Sequence, residues 1–200
     1  MNMIPESILD FWFGDALESP EATTARNALW FRKDSAFDER IRERFGDLPA
    51  RASRGEFDSW RRAARPSLAL VLVLDQFPRN LYRGSPQAFA CDPMAKEVAE
   101  TAIESRLDSE LAPLETVFLY LPLEHAEDLA SQERCVSLFK ALFERAPAGR
   151  QSQFESFLTF AIRHRDIISR FGRFPHRNAI LGRPSTSEEL SYLESGGDAF

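Results

Sequence analysis

Asp75, Arg79 and Asn80 fall in the stretch DQFPRN, and Arg173, His176, Arg177 and Asn178 fall in a second stretch of the same kind, GRFPHRN. In both, Phe-Pro precedes Arg-Asn, and a glycine, Gly84 or Gly182, stands four residues after the asparagine. An arginine carries five fixed donors and an asparagine both donates and accepts. Two such forks converging on one point would grip a carboxylate or a phosphate. The same residues also suit a structural corner: proline bends or ends a helix, phenylalanine anchors the bend, and arginine ties down helix-end carbonyls. Glycine then permits the positive φ that closes a short turn. Asp75 directly follows the apolar run Leu68 to Leu74, and Arg79 lies four residues on. If the helix survives Pro78 the two pair, as a carboxylate at the end of a buried helix requires.

The histidines add a second chemistry. Phe154, Phe157, Ala161, His164, Ile168 and Phe171 alternate in steps of three and four, which sets one imidazole into an apolar seam. Leu114, Phe118, Leu121, His125 and Asp128 do the same, provided their helix continues past Pro122. Pro122 is expected to kink or break that helix and free the carbonyl of Phe118. Glu124, Glu127 and Asp128 surround His125. A buried imidazole needs a partner, which a satisfied core histidine has without any function. In an acid-base site, His125 or His164 would be the general base, Glu124 or Asp75 would orient it, and Arg79 with Arg177 would hold developing negative charge. A metal site would draw on His125, His164 and His176 with Glu124 or Asp166, but the short-range His-x-x-x-His spacing that would specify one is absent, so no metal and no cofactor is assigned. No nucleophile elbow, Walker loop or dinucleotide fingerprint occurs. Cys91 and Cys135 lack redox or metal spacing and read as buried thiols in a reducing compartment.

Elements that could position these groups are helical nearly throughout. The 200 residues suit one domain, whose core draws on 17 phenylalanines among 23 aromatics. IPESILDFWF opens the chain with Pro5 in a first turn. Phe37, Ile41 and Phe45 mark an amphipathic helix stopped by Gly46. RPSLALVLVLDQF is apolar on all sides and reads as a central helix. Asp92 followed by Pro93 reads as an N-cap and first helical residue. Further helices follow in PLETVFLYLPLEHAEDL, SQERCVSLFKALFERA and SQFESFLTFAIRHRDIISRFG, and STSEELSYLES offers two overlapping capping boxes, Ser185 with Glu188 and Thr186 with Glu189. The total is eight or nine helices in an all-α domain over residues 1–195, with a loose tail over 196–200.

Charge excludes some partners. A net charge of −6 does not suit duplex nucleic acid. Residues 163–183 nonetheless hold six arginines against Asp166, a balance of +5 that leaves −11 elsewhere. That segment could bind an anion or pair with the acidic remainder. The longest apolar run is far short of the roughly 20 residues of a membrane span, and the N-terminus has no basic segment leading into an apolar one, so a cytoplasmic, soluble protein is expected.

Taken in order, LWFRKDSAFDERI, LVLDQFPRNLYRG, FLYLPLEHAED and HRDIISRFGRFPHRNAILGRPSTSEEL resemble the bacterial family known as domain of unknown function 924, over about residues 4–195. The resemblance implies antiparallel helix pairs in a tetratricopeptide-like array around a concave surface. It brings no established activity. Its motif positions coincide with Asp75, Arg79, Asn80, Glu124, His125, His164, Arg173, His176, Arg177 and Asn178. Three readings therefore stand side by side: a site for a small anion or acidic peptide terminus at the paired Arg-Asn corners, an acid-base enzyme using the same residues, and a helical scaffold that grips a partner peptide in an apolar groove. The sequence does not specify an oligomeric state.

Overall fold

Helix α1 (Pro5–Phe13) buries Ile8, Leu9, Trp12 and Phe13 in the computed structural model, which describes residues 5–198. The carbonyls at its C-terminal end have no intrahelical donors. Side chains of α2 (Pro20–Phe31) supply them: Arg26 Nε donates to the Trp12 oxygen at 2.9 Å and Trp30 Nε1 to the same oxygen at 3.0 Å. Ser19 caps α2 and Pro20 begins it. Helix α3 (Ser35–Phe45) buries Phe37, Ile41 and Phe45, the every-fourth spacing read from sequence. Gly46 does not stop the chain in the left-handed conformation; its φ is −60°, and the backbone runs on into the short α4 (Leu48–Ala52).

The central apolar segment is helical and interrupted. Helix α5 (Ala64–Val71) passes through a π turn, Leu72–Gln76, into α6 (Phe77–Leu81). The Phe77 N–H bonds to the Leu72 oxygen five residues back. Pro78 explains the widening. It has no N–H to give, and its ring would crowd the carbonyl of Leu74 in a regular α-helix. The π turn absorbs the proline without ending the helix, a form of local insertion that is frequent at functional sites.

Helix α7 (Asp92–Glu104) is followed by α8 (Pro113–Glu124), in which every residue from Leu114 to Glu124 is buried. Pro122 does not break α8. The helix ends at His125, whose N–H still reaches the Leu121 oxygen. Asp128 does not extend the stripe; it caps α9 (Leu129–Glu144), accepting from the Ser131 N–H at 2.8 Å. The buried Gln132 closes the end of α8, its amide nitrogen donating to the Glu124 oxygen at 2.6 Å and the Ala126 oxygen at 2.8 Å. Phe118 faces the core, its ring edge-on to Trp12 and Trp30.

Helix α10 (Gln151–Phe171) packs along α9 and touches α8. It stops at Gly172, where φ is +70°. A 3₁₀ turn, Pro175–Arg177, follows, and then α11 (Ser187–Glu194), which uses the Thr186–Glu189 capping box rather than the overlapping one. Asp198 is tied back by Arg163 and by the Tyr192 hydroxyl, while residues 199–200 of the expected tail lie outside the described residues. Counting α5 to α6 as one, the described residues hold ten helices and no strand. The fold is all-α, as the periodicity implied.

Candidate functional site

The π turn places Asp75 at the end of the buried run, with no exposed surface. Three donors meet its carboxylate. His125 Nδ1 lies 2.7 Å from Oδ1, Gln76 Nε2 2.5 Å from Oδ2, and Arg79 Nη1 3.2 Å from Oδ1. Burial alone would raise the Asp75 pKa, but the charges of Arg79 and His125 and these hydrogen bonds outweigh it and hold the carboxyl well below its usual range. An ionised Asp75 can only accept, so His125 donates from Nδ1, and Nε2 is left as the basic nitrogen. His125 itself is pushed down, by burial first and then by Arg79, with Asp75 opposing.

Next to His125 in the chain, Glu124 is in a different state. Burial, reinforced by the charge of Asp75, pushes its carboxyl up to about 8, so it is mainly a carboxylic acid at neutral pH. Its Oε1 lies 3.3 Å from His164 Nδ1, which also donates to the Phe160 oxygen at 2.8 Å. Burial drives His164 down to about 3 against that backbone hydrogen bond. The two imidazole centres are 6.4 Å apart. An ionised carboxylate and a protonated one, each beside an imidazole, thus occupy one helix junction.

These groups open onto a cavity of about 640 Å³ between α2, α6, the end of α8 and α10. Arg79, Asn80, Glu124, His125, His164 and Arg177 all line it, and Asp75 stands directly behind His125. Gly84, with φ at +74°, contributes to the rim. The other members of the second corner are elsewhere. Arg173 pairs with Glu189, at 2.6 and 2.8 Å. Asn178 binds the Ser185 hydroxyl at 3.1 Å and accepts from Arg183 Nε at 3.0 Å. His176 is half-buried, pushed down to about 4 by burial and then by the Arg177 charge. Glu127 joins this corner too, accepting from the Phe174 N–H at 2.8 Å.

The two arginine forks do converge, on a carboxylate of the protein itself. Arg79 grips Asp92 with both terminal nitrogens at 2.9 Å, and Arg177 Nη1 lies 3.6 Å from the same side chain. Asp92 is therefore not the N-cap read from the sequence. Cys91 occupies the cap position, Asp92 is the first residue of α7, and its carboxylate turns to Arg79. Asn80 holds Asp38 at 2.7 Å, fixing the first corner to α3. Sequence reasoning missed Asp92, Gln76 and the aromatic lining contributed by Trp30, Phe31 and Phe89. The position of Asp92 just before a proline pointed to a cap, and nothing local revealed a partner 13 residues earlier.

Among the described residues, no group of three or more His, Cys, Asp or Glu side chains is arranged to hold a metal ion, and no helix is long and apolar enough to cross a membrane. Cys135 is buried, with its thiol raised well above the ordinary value by burial and then by Glu124. Cys91 is only partly buried, against the expectation of two buried thiols.

Fold and site together define an all-α protein in which helix ends assemble a pocket beside two imidazole-carboxyl pairs. The chain belongs to the family described as bacterial protein of unknown function (DUF924), whose model matches residues 8–197. It is similar to the solved structure of the protein of unknown function ATU0120 from Agrobacterium tumefaciens, at 43% identity over 96% of this chain and 97% of that chain, with a TM-score of 0.80. No curated protein matches the chain.

Proposed function

We propose that the pocket is the active site of an enzyme that moves a proton on a small bound molecule, with His125 as general base and Glu124 as general acid. The observation that carries this reading is the 2.7 Å Asp75–His125 pair on the wall of a cavity large enough for a metabolite. Asp75 fixes the imidazole tautomer, so that Nε2 accepts the proton and the charge formed is stabilised by a carboxylate already in place. Glu124 retains a proton near neutral pH and can return it to a second position of the same molecule, a division of labour that environments of opposite effect on two carboxyls create.

The acid-base reading gains on the paired-corner anion site because Asp92 occupies the Arg79 fork. Arg79 then serves mainly to keep Asp75 charged, through a 3.2 Å contact. The test is to incubate the protein in D₂O with a library of small organic molecules and follow turnover and deuterium incorporation by mass spectrometry. Wild type should label or convert at least one molecule, and His125→Gln should do so about 100-fold more slowly or worse. Equal rates in the two proteins, or bound molecules that never exchange or react, would overturn the assignment.

A further inference from the structure

Arg177 is a buried cation of the pocket whose donors are incompletely matched. Only 6% of it is exposed, and its guanidinium lies between the rings of Phe89 and Phe174, 4.8 and 4.4 Å from their centres. Nη1 donates to the His125 oxygen at 3.1 Å, but Nε has no hydrogen-bond partner among the described residues. The nearest carboxylate oxygen, on Asp92 at 3.6 Å, is beyond hydrogen-bond reach and already accepts from Arg79. A buried cation in this state is costly unless a charge of opposite sign completes it. Burial and then the Arg79 charge lower its pKa to about 10, with Asp92, Glu127 and Asp75 opposing.

The rest of the lining indicates what would complete it. Arg32 and Lys33 add positive charge to the lining. Among the described residues, the one acid that lines the cavity is Glu124, which is mainly uncharged at neutral pH. Trp30, Phe31, Phe157 and Phe160 line the cavity as well, and Phe31 is 51% exposed. Phe31 packs on Phe118, Trp30 and Phe157 within the protein and still leaves about half of its surface open, where a flat ligand ring can extend the cluster.

We propose that the pocket takes a planar aromatic organic anion, a carboxylate or phosphate on a ring, with its acidic group toward Arg177 and its ring against the Phe31 side of the cavity. This rests on the reading of the cavity as a small-molecule site and adds the class of molecule; it does not require that proton transfer occur.

The test is calorimetric binding of four probes to the full chain: benzoate, phenyl phosphate, uncharged benzamide and ring-free acetate. Benzoate or phenyl phosphate should bind at least tenfold more tightly than benzamide and than acetate. Arg177→Met should erase the preference for benzoate over benzamide, a loss of about tenfold or more expected for a hydrogen-bonded charge. Phe31→Ala, which removes a half-exposed ring, should weaken both aromatic anions by about three- to tenfold and leave acetate unchanged. If Arg177→Met fails to fold, the probe ratios in wild type and the Phe31→Ala effect still decide. Benzamide binding as well as benzoate, acetate binding as well as benzoate, or no aromatic anion binding at millimolar concentration would overturn the proposal. Aromatic anions that bind as expected but never exchange deuterium would leave this inference standing and remove the enzyme assignment.

Discussion

Replacing Glu124 by glutamine should change how stability depends on pH, in a direction the structure fixes. Glu124 is 5% exposed, and burial together with the Asp75 charge lifts its carboxyl from 4.5 to about 8. The folded chain then keeps a proton that the unfolded chain releases above 4.5. With the folded value raised, the contribution of Glu124 to stability is whole below the unfolded pKa, falls as pH rises through the interval, and is lost once pH passes the folded pKa. Each pH unit inside the interval is about 1.4 kcal/mol, so the loss over two units, from about pH 5 to about pH 7, is about 3 kcal/mol. Glutamine preserves the neutral shape and cannot ionise. The stability of Glu124→Gln minus that of wild type should therefore climb by about 3 kcal/mol over those two units and level off near the folded pKa. His125, His164 and His176 are all lowered, so their contribution runs the other way, being whole above the unfolded histidine pKa and lost as pH falls from there through the folded values. That slope is common to both proteins and cancels in the difference. Urea unfolding at unit steps of pH measures the curve. A difference that stays flat across the interval would mean that Glu124 is ionised throughout, and it would refute both the pKa argument and the use of Glu124 as a general acid.

Two further outcomes are expected. Asp75→Asn removes the buried carboxylate that Arg79, His125 and Gln76 contact, although Arg79 keeps Asp92, and should cost about 1.5–3 kcal/mol in urea unfolding, as losing hydrogen bonds to a buried charged group does; a cost under about 1 kcal/mol, the scale of an exposed pair, would show that the cluster is solvated. Ellman's reagent should label at most one thiol per native chain, the partly buried Cys91, and both after denaturation, because Cys135 is buried and its thiolate disfavoured; two native thiols would contradict the core packing around α9.

The all-α class was legible because burial in helices leaves a period in the sequence, as at Phe37, Ile41 and Phe45. Helix α2 was not, because only Thr23 and Trp30 are buried in it, so it has no apolar stripe to find. What holds it is a set of hydrogen bonds from Arg26 and Trp30 to the end of α1, and such tertiary contacts have no local signature. The same distinction runs through the site. His164, Asp75 and His125 could be found because polar residues interrupt or end apolar runs. Asp92 could not, since its role depends on where α7 begins relative to α6, and the sequence rule for a residue before proline pointed to a cap instead. The π turn was also hidden: Pro78 announced a disturbance, but a break, a kink and a widened turn all relieve the same clash.

The two Phe-Pro corners diverge because of what precedes each proline. Before Pro78 the chain is a buried helix, and widening it by one residue keeps Arg79 on the same face as Asp75, four residues back. Before Pro175 stands Gly172 in the left-handed conformation, so α10 has already ended and Arg177 has no preceding helical carboxylate to answer. It reaches instead across to the end of α8, where the His125 carbonyl takes one of its donors. The asparagines of both corners are consumed by structure, at Asp38 in one case and at Ser185 and Arg183 in the other. The arginines do different work from matching sequence: Arg79 completes a network the protein closes by itself, whereas Arg177 enters the same network with donors to spare. That asymmetry makes the cavity side of Arg177 the place where an outside anion would count most.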